Sequence, residues 1–336
     1  MSENIRRNVV QRPPYLYLRV MGKWYCYDTT AQPLGGGAMG TVYMGYEIDS
    51  KGNPVSNVAV KRVKDAYANV ELIRKRARME GSMAFRHPNL VEMLGYCEVN
   101  PTTGPIFLVS NFVNGENIDI YLRKMGDTQD RVLRVCHLML PVLDALQYLH
   151  QRGVIHRDIK PSNIMVEDNS NVRLMDLGIS RLNGGNQFSQ VGFIGTPEYS
   201  APEQILRQQG GSFVEINAST DIYEYGITFY ELLTGSNPMK GSSDTETLVR
   251  QMKNALPSAP GIPQKLMRVL LKATDKEQSQ RYQSAEDMKL AIQDALQPDE
   301  SVWARFSQWT STHILLLVVA LLALASIIAS LVIMLL

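Results

Sequence analysis

Short apolar runs alternate with turn signals from residue 30 to about residue 110, a pattern typical of a strand-rich region. The runs NVAVKRV at 57–63 and PIFLVSNFV at 105–113 predict strands, and KGNP at 51–54 predicts a turn. One stretch between them instead repeats its apolar residues every three or four positions. It predicts an amphipathic helix whose inward face carries Ala66, Val70, Ile73, Ala77, Glu80 and Ala84.

After residue 115 the spacing becomes mainly helical. One buried helix face is predicted before Gly153, and a second helix is predicted from near Ser219 to Gly235. The sequence therefore predicts an α+β fold with a small strand-rich part and a larger helical part. The two predicted stripes consist of Leu138, Val142, Leu146 and Leu149, and of Ile222, Gly226, Phe229 and Leu233.

Residues 314–336 (ILLLVVALLALASIIASLVIMLL) contain no charged residue, proline or glycine. As a helix they would extend about 35 Å, enough to cross a hydrocarbon layer of about 30 Å. Aromatic residues favour the headgroup layer, and Trp303, Phe306 and Trp309 precede this run. We therefore expect a membrane-spanning C-terminal anchor, a juxtamembrane linker at 298–313, and the rest of the chain on the cytoplasmic side.

The same apolar segment offers a candidate face for association of two copies. Ala325 and Ala329, like Ser326 and Ser330, are spaced as small-xxx-small pairs, which let two membrane helices approach closely.

Composition narrows the functional classes only modestly. The chain has 336 residues and a formal net charge of +1, and it shows no basic tract, so we expect no nucleic-acid partner. Cys26, Cys97 and Cys136 lie far apart and are odd in number. This favours reduced thiols in a cytosolic compartment over disulfides or a zinc site.

A glycine-rich segment is the first motif that carries chemistry. Residues 35–42 read GGGAMGTV and fit G-x-G-x-x-G-x-V, in which glycines let backbone amides approach phosphates. A dinucleotide-binding turn reads similarly, but there a helix follows directly, whereas Thr41-Val42-Tyr43 predicts a strand. Lys61 ends the sequence VAVK about twenty residues later, where a lysine can pair with the α- and β-phosphates.

The most specific motif is HRDIKPSN at 156–163. A carboxylate at Asp158 can accept or orient the proton of a substrate hydroxyl, and Lys160 can steady the transferred phosphoryl group. The amide oxygen of Asn163 can bind a metal within reach of both. Asp176, in the sequence MDLG, supplies a second oxygen ligand of the kind that magnesium prefers.

A further motif, GTPEYSAPE, occupies residues 195–203. With these ordered motifs, the chain from about residue 30 to residue 295 resembles the eukaryotic-like (Hanks-type) serine/threonine protein kinases. The sequence GTPEYSAPEQ is most similar to the bacterial branch of that family. The resemblance implies a two-lobed fold, with an N-lobe at about 30–113, a C-lobe at about 114–297, and residues 1–29 as an N-terminal extension. It implies ATP and Mg²⁺, with Mn²⁺ as an alternative, and Asp158 and Lys160 as catalytic residues. The implied nucleotide-binding residues are Leu34, Gly35, Gly36, Gly37, Ala38, Met39, Gly40, Val42, Ala59, Lys61, Glu80, Asn111 and Val113, and the implied metal ligands are Asn163 and Asp176.

The resemblance also assigns supporting roles. It implies that Asp221 is buried and bonds the backbone of the catalytic loop, and that Arg281 pairs with Glu203 of the APE sequence. An arginine placed like Arg157 often pairs with an activation-segment phosphate. Ser180, Ser189 and Thr196 are the candidate acceptors, although Thr196 also fits a substrate-site residue and all three hydroxyls also fit plain loop positions.

Two features depart from the family pattern. The glutamate that pairs with Lys61 is open between Glu80, on the inward helix face, and Glu71, on the polar face. Gly81 weakens a helix, so this helix is expected to be short or mobile. Ser110 takes the gatekeeper position, which predicts a roomy back pocket, and Asn111 stands where an acid is usual.

Two functional hypotheses follow. The first is an active kinase, tethered to a membrane, that phosphorylates Ser or Thr hydroxyls of membrane-associated proteins and of a neighbouring copy of itself. The second is a kinase-fold scaffold or pseudokinase that binds ATP without efficient transfer. Such proteins typically lack one of the motif residues, and Lys61, Asp158, Asn163 and Asp176 are all present, which favours the first hypothesis.

Overall fold

The computed structural model describes residues 8–37, 40–126, 130–176, 196–210, 214–297 and 328. The chain divides into two compact units, Met1–Ile292 and Gln293–Leu336. The first unit contains both lobes. The predicted membrane helix at 314–336 and the aromatic residues before it lie outside the described residues, apart from Ile328.

The small lobe is built on an antiparallel sheet in the order β1–β2–β3–β5–β6–β8–β7, and β4 pairs with one end of β5. The predicted strand at 57–63 lies within β6, and the run at 105–113 contains β8. The strands are β1 (Val9–Arg12), β2 (Tyr15–Val20), β3 (Lys23–Asp28), β4 (Gly35–Gly36), β5 (Gly40–Ile48), β6 (Pro54–Val63), β7 (Met93–Glu98) and β8 (Ile106–Asn111).

Residues 9–28 belong to the segment 1–29, which the sequence resemblance implies is an N-terminal extension. They form three strands, and β3 pairs with β5 from Trp24↔Ile48 to Tyr27↔Gly45. Apolar side chains of β2 and β3 join those of β6, β7 and β8 in one buried cluster. These strands are therefore part of the small-lobe sheet. The cluster contains Leu18, Val20, Tyr25, Tyr27, Val58, Val60, Cys97, Phe107 and Val109.

The single helix predicted through residues 66–84 is two helices, α1 (Asp65–Ala68) and α2 (Glu71–Ser82). The chain leaves the helical conformation between them, because Val70 is extended, with φ −88° and ψ 108°. The inward face was predicted correctly at Ile73 and Ala77, which are 4% and 5% exposed and pack on the sheet. Helix α2 includes Gly81 and ends at Ser82, the residue after it, so Ala84 of the predicted face lies beyond the helix.

The large lobe is helical, and its helices pack around a buried core. The longest, α4, carries the predicted stripe, in which Val142 is fully buried and Leu138 is 6% exposed. Among the described residues, α4 is the one helix that is long and apolar enough to cross a membrane. Half of its most apolar stretch is buried inside the domain. The helices are α3 (Ile118–Met125), α4 (Arg131–His150), α5 (Pro202–Gln208), α6 (Ala218–Thr234), α7 (Asp244–Lys253), α8 (Gln264–Ala273) and α9 (Ala285–Leu296).

A three-stranded sheet, in the order β11–β10–β9, frames the motif residues at the top of the large lobe. The HRDIKPSN loop leads into β10, and Asp176 follows β11 closely. Two backbone hydrogen bonds join β11 to the small lobe, because Leu174 donates to Asn89 at 2.9 Å and accepts from Val91 at 3.0 Å. The strands are β9 (Gly115–Asn117), β10 (Ile164–Glu167) and β11 (Val172–Leu174).

Candidate active site

Three motif side chains meet in the loop before β10. Oδ2 of Asp158 lies 3.0 Å from Nζ of Lys160 and accepts a hydrogen bond of 2.9 Å from Nδ2 of Asn163. The same Asn163 amide group donates to the backbone oxygen of Asp158 at 2.8 Å. A short 3₁₀ turn at Pro161–Asn163 brings the asparagine back over the aspartate. The loop therefore fixes the carboxylate between an ammonium group and an amide.

The hydroxyl of Thr196 reaches this pair from the TPEYSAPE segment of the chain. Lys160 donates to its oxygen at 2.9 Å, and the hydroxyl lies 3.4 Å from Oδ1 of Asp158. A side-chain hydroxyl thus fits between the lysine and the carboxylate. This is the arrangement in which a carboxylate can receive a hydroxyl proton.

Asp221 of helix α6 is completely buried and contacts the backbone of the HRDIKPSN loop at 156–163. Its two oxygens accept from the backbone amides of His156 at 2.8 Å and Arg157 at 2.7 Å, and His150 contacts it at 2.7 Å. Burial acts to raise the pKa of Asp221, but these hydrogen bonds outweigh it and leave the pKa below its ordinary value. The burial and the backbone bonds implied for Asp221 are present.

Sequence reasoning missed two further residues of α6 that hold the same loop. Glu224 accepts from the amide of Ile159 at 2.7 Å and from the side chain of Gln204 at 2.8 Å. Thr228 donates to the carbonyl of Ile159 at 3.0 Å. The signal was available, because Asp221, Glu224 and Thr228 are polar residues at helical spacing on one face of an otherwise apolar helix.

A buried ion pair closes the end of this region. Arg281, 2% exposed, donates to both oxygens of Glu203 at 2.8 and 2.9 Å, and Thr220 adds a hydrogen bond of 2.7 Å to the same carboxylate. The pairing of Arg281 with Glu203 that the resemblance implied is present. It joins the start of α5 to the segment after α8.

Lys61 connects the two lobes at the site. Its Nζ lies 3.4 Å from Oε1 of Glu80 and 3.3 Å from Oδ2 of Asp176. Burial acts to lower the pKa of Lys61, but the two carboxylates raise it above its ordinary value, so the ammonium form is favoured. Glu71 instead pairs with Arg78 on the exposed side of α2. The structure therefore places Glu80, and not Glu71, against Lys61.

Asp176 and Asn163 are also joined through the backbone, since Met175 donates to the carbonyl of Asn163 at 2.8 Å. Asp176 has a positive φ of 49°, an uncommon conformation that non-glycine residues adopt mostly where the fold enforces it. Within the described ranges no three His, Cys, Asp or Glu side chains converge on one point. Asn163 and Asp176 offer the amide and carboxylate oxygens that suit magnesium, with phosphate oxygens completing the set.

The glycine-rich segment forms a hairpin, and its second strand contains the predicted strand residues Thr41-Val42-Tyr43. Gly35 pairs with Val42, Leu34 donates to the carbonyl of Val42 at 2.8 Å, and Gly37 donates to the carbonyl of Gly40 at 2.9 Å. The segment approaches the lysine closely, because a Cβ at Gly40 would lie 3.3 Å from Cγ of Lys61. Gly36 pairs with Thr41, and Ala38 and Met39 lie outside the described residues.

The expected adenine-binding stretch runs along the end of β8. Ala59 of β6 is paired with Ser110, so the predicted gatekeeper and the predicted pocket residue are neighbours. Asn111 donates its backbone amide to Glu92 at 2.9 Å and its side-chain amide to the same residue at 3.3 Å. Val113 lies in the connection between β8 and β9, which joins the lobes.

A cavity of about 330 Å³ opens beside Lys160 and Thr196 on the large lobe. It adjoins the hydroxyl position described above. Burial raises the pKa of one lining carboxyl, Glu231, which accepts from Tyr199 at 2.7 Å. Its lining residues are Asn117, Asp119, Lys160, Pro161, Ser162, Thr196, Glu198, Tyr199 and Glu231.

Comparison with known families decides what this arrangement is. The protein kinase domain family matches residues 29–306. The chain belongs to the protein kinase family. Proteins of this family use ATP with Mg²⁺ or Mn²⁺, and the positions of Lys61, Asn163 and Asp176 fit that use.

The kinase domain is similar to serine/threonine-protein kinases of bacteria, as the sequence predicted. It is 30% identical to PrkC of Bacillus subtilis over 281 residues, which cover 82% of this chain and 41% of PrkC. It is 31% identical to PknB of Mycobacterium tuberculosis over 266 residues, 76% of this chain and 41% of PknB. The chain thus spans less than half the length of these relatives.

A solved structure supports the two-lobed fold. The crystal structure of the kinase domain of Mycobacterium tuberculosis PknI superposes with a TM-score of 0.59 at 21% identity, covering 86% of this chain and 98% of that one. The prediction of a small β-rich lobe and a larger helical lobe is confirmed. Ser180 and Ser189 of the kinase activation segment lie outside the described residues.

Proposed function

We propose that the chain is a serine/threonine protein kinase that transfers the γ-phosphoryl group of ATP to Ser or Thr hydroxyls of proteins. The observation that carries the proposal is the Thr196 hydroxyl between Lys160 and Asp158, at 2.9 and 3.4 Å. A substrate hydroxyl in a similar position would have a proton acceptor and a cation within reach. Relatives named serine/threonine-protein kinases support the same interpretation.

Each site residue then has a defined part in the transfer. Asp158 orients the acceptor hydroxyl and receives its proton, while Lys160 steadies the developing charge on the transferred group. Lys61, fixed by Glu80, holds the α- and β-phosphates under the glycine-rich hairpin. Magnesium, when bound by Asn163 and Asp176, neutralises phosphate charge. Adenine lies against the backbone of residues 111–113, with Ala59 and Leu34 beside it.

The alternative, a kinase-fold scaffold that binds ATP without transfer, is less well supported. Such a protein needs only part of the machinery. Here Lys61, Asp158, Asn163 and Asp176 are all present, and their side chains form the contacts described above. The complete set favours turnover.

Two finer parts of the proposal concern where the kinase acts. Residues 314–336 would anchor it in a bilayer, and the linker at 298–313 is short, so its substrates would be membrane-associated proteins. A neighbouring copy is one such substrate, which would allow autophosphorylation of the activation segment in trans. Arg157 is placed directly before Asp158 and would pair with the resulting phosphate.

The test is phosphoryl transfer by the full chain in detergent micelles, with labelled ATP, magnesium and a generic protein substrate. Wild type should transfer phosphate to Ser or Thr, and Asp158→Asn should lower kcat by a factor of about 10² to 10⁴. Asp168→Asn, at an exposed position after β10, is the matched control and should retain wild-type activity. Equal transfer by wild type and Asp158→Asn would disprove the proposal.

A further inference from the structure

Helix α2 carries Glu80 and rests on β7, and two arginines fix the body of the helix there. Arg78 donates from Nε to Oε1 of Glu98 at 2.6 Å, and Arg74 pairs with the same carboxylate at 3.2 Å. Arg74 is fully buried and also donates to the carbonyls of Pro101 and Gly104 at 3.1 and 2.8 Å. Charge-assisted bonds of this kind are strong, so this part of α2 has little freedom.

The end of α2 that bears Glu80 has a different support. Gly81 lies directly on Tyr96 of β7, and a Cβ at Gly81 would stand 2.5 Å from Cβ of Tyr96. No side chain can therefore replace this glycine without moving either α2 or β7. The position of Glu80 depends on the position of the β7 backbone beneath it.

The β7 backbone is supported in turn by the N-terminal hairpin formed by β2 and β3. Gly95 of β7 has a φ of +140° at an irregularity of the strand pairing. A Cβ there would collide with Cγ1 of Val20 and would lie 3.3 Å from Cγ of Met21. It would also lie 3.9 Å from the carbonyl oxygen of Gly81. Gly95 therefore lies close to Val20 on one side, while the next residue of β7, Tyr96, lies against Gly81. We refer to Val20, Gly95 and Gly81, linked in this way through β7, as the stack.

The β2–β3 hairpin, which contributes Val20 to the stack, is stabilised by burial, by its turn and by hydrogen bonds. Val20 is 1% exposed, and the turn after it, Met21-Gly22, has positive φ at both residues, as a two-residue hairpin turn favours. The edge of the hairpin is tied to β7 because the carbonyl of Asn8 accepts from the Cys97 thiol at 3.2 Å and from the Arg19 amide at 2.7 Å.

We propose that the β2–β3 hairpin is a positioning element for the catalytic ion pair, with Val20, Gly95 and Gly81 as its positioning residues. The stack holds the Glu80 end of α2 so that Glu80 reaches Lys61 at 3.4 Å. The proposal rests on the proposed kinase function and adds a structural determinant of that activity, located in residues before the family match begins at 29.

Gly81→Ala in the full chain tests the lower layer. Alanine favours a helix over glycine by about 1 kcal/mol, so a purely local effect would stabilise α2 and leave the kinetics unchanged. The proposal instead expects kcat to fall at least 10-fold and KM for ATP to rise, with KM for the protein substrate unchanged. Lys75→Ala, on the exposed side of the same helix, is the matched control and should match wild type.

Gly95→Ala tests the upper layer and should change the kinetics in the same way. Val20→Ala removes the methyl group with which the new Cβ collides, so Gly95→Ala with Val20→Ala should recover part of the lost activity. Gly52→Ala is the control, since Gly52 also has a positive φ, of +89°, but has no atom within 4 Å of an added Cβ.

A third measurement asks whether the stack acts through Glu80. In a Glu80→Gln background, Gly81→Ala and Gly95→Ala should cause no further loss, because coupled residues are not additive. A loss of the same factor in both backgrounds would overturn the inference, and so would wild-type kinetics for Gly81→Ala. Absence of transfer by the wild-type chain would instead count against the proposed function itself.

Discussion

Lys61 shows at the scale of one residue how the site balances charge. It is a partly buried ammonium group that two carboxylates, from Glu80 and Asp176, keep in the charged form. Removing it would leave both acids without their shared cation. A charge that is shielded from water interacts more strongly with other charges, so Lys61 is well suited to attract the phosphates of ATP.

Lys61→Met should lower kcat/KM for ATP by a factor of about 10² to 10³, because one preorganised contact to the phosphates is lost. Initial rates over a series of ATP concentrations measure the change. Lys64→Met, at an exposed position just after β6, is the control. If both variants lose the same activity, Lys61 has no specific part in nucleotide binding.

The burial of His156 predicts that the stability of the domain depends on pH. Its side chain is fully buried, and burial lowers its pKa below the ordinary value near 6.5. Below that pH the unfolded chain gains a proton that the folded chain does not, so the free energy of unfolding should fall as the pH falls below about 6.5. His87, whose pKa burial also lowers, contributes with the same sign.

Urea unfolding of the full chain between about pH 7.5 and pH 5.5 measures this effect. His156→Gln should be less stable than wild type at the upper pH and should show a flatter dependence on pH. An unchanged slope in the variant would show that other groups cause the dependence.

Most single residues of the site could be predicted because their spacing is short and their chemistry is unusual. Asp158, Lys160 and Asn163 lie within one loop, so the sequence alone places them together. The choice of Glu80 over Glu71 depended on which face of α2 meets the sheet, and helical periodicity indicated that face. The hydroxyl contact of Thr196 with Lys160 and Asp158 needed the fold, because those residues are 36 and 38 positions apart.

At the scale of elements, α6 organises the catalytic loop. Asp221, Glu224 and Thr228 each satisfy backbone groups of residues 156–159 from one helix face. Buried polar side chains of this kind are costly unless they are paired, and here their partners are three backbone amides and one backbone carbonyl of the loop. The helix thereby determines the conformation of the loop.

Glu224→Gln tests this at one position. The amide nitrogen of glutamine cannot accept, so either the Ile159 amide or the Gln204 side chain loses its partner. We expect a loss of about 1–3 kcal/mol in the free energy of unfolding, measured by urea denaturation, together with a reduced kcat. Glu286→Gln, at an exposed position in α9, is the control. Wild-type stability of Glu224→Gln would show that the loop does not depend on this contact.

Elements were predicted well where their hydrophobic period was long and regular. Helix α6 was expected from near Ser219 to Gly235 and spans Ala218–Thr234, with Asn217 accepting at its start and Gly235 left-handed at its end. The helix through 66–84 was predicted as continuous because Ala66 and Val70 share the period of Ile73 and Ala77. The spacing of the apolar residues does not reveal the extended conformation at Val70.

At the scale of the whole molecule, membrane attachment remains the main prediction. Full chain expressed in a bacterial cell should sediment with membranes and resist extraction by alkaline carbonate, since an apolar helix of about 20 residues spans a bilayer. A stop codon after residue 297 should release the protein into the soluble fraction. Recovery of the full chain in the soluble fraction would contradict the prediction.

The N-terminal strands were the largest feature that sequence reasoning placed outside the domain. Their alternation is visible, since Leu16, Leu18 and Val20 are apolar at every second position. The resemblance begins at about residue 30, however, and supplied no strand before it. Only the pairing of β3 with β5 shows that the sheet continues.

That pairing has a practical consequence for anyone who expresses the protein. A gene trimmed to the family boundary at residue 29 would lack four of the nine buried side chains of the small-lobe cluster, namely Leu18, Val20, Tyr25 and Tyr27. At about 1.5–3 kcal/mol for each buried apolar side chain, the loss would be about 6–12 kcal/mol. Whole domains are stable by only about 5–15 kcal/mol. Such a product should therefore aggregate during expression, and a gene that begins before Asn8 should not.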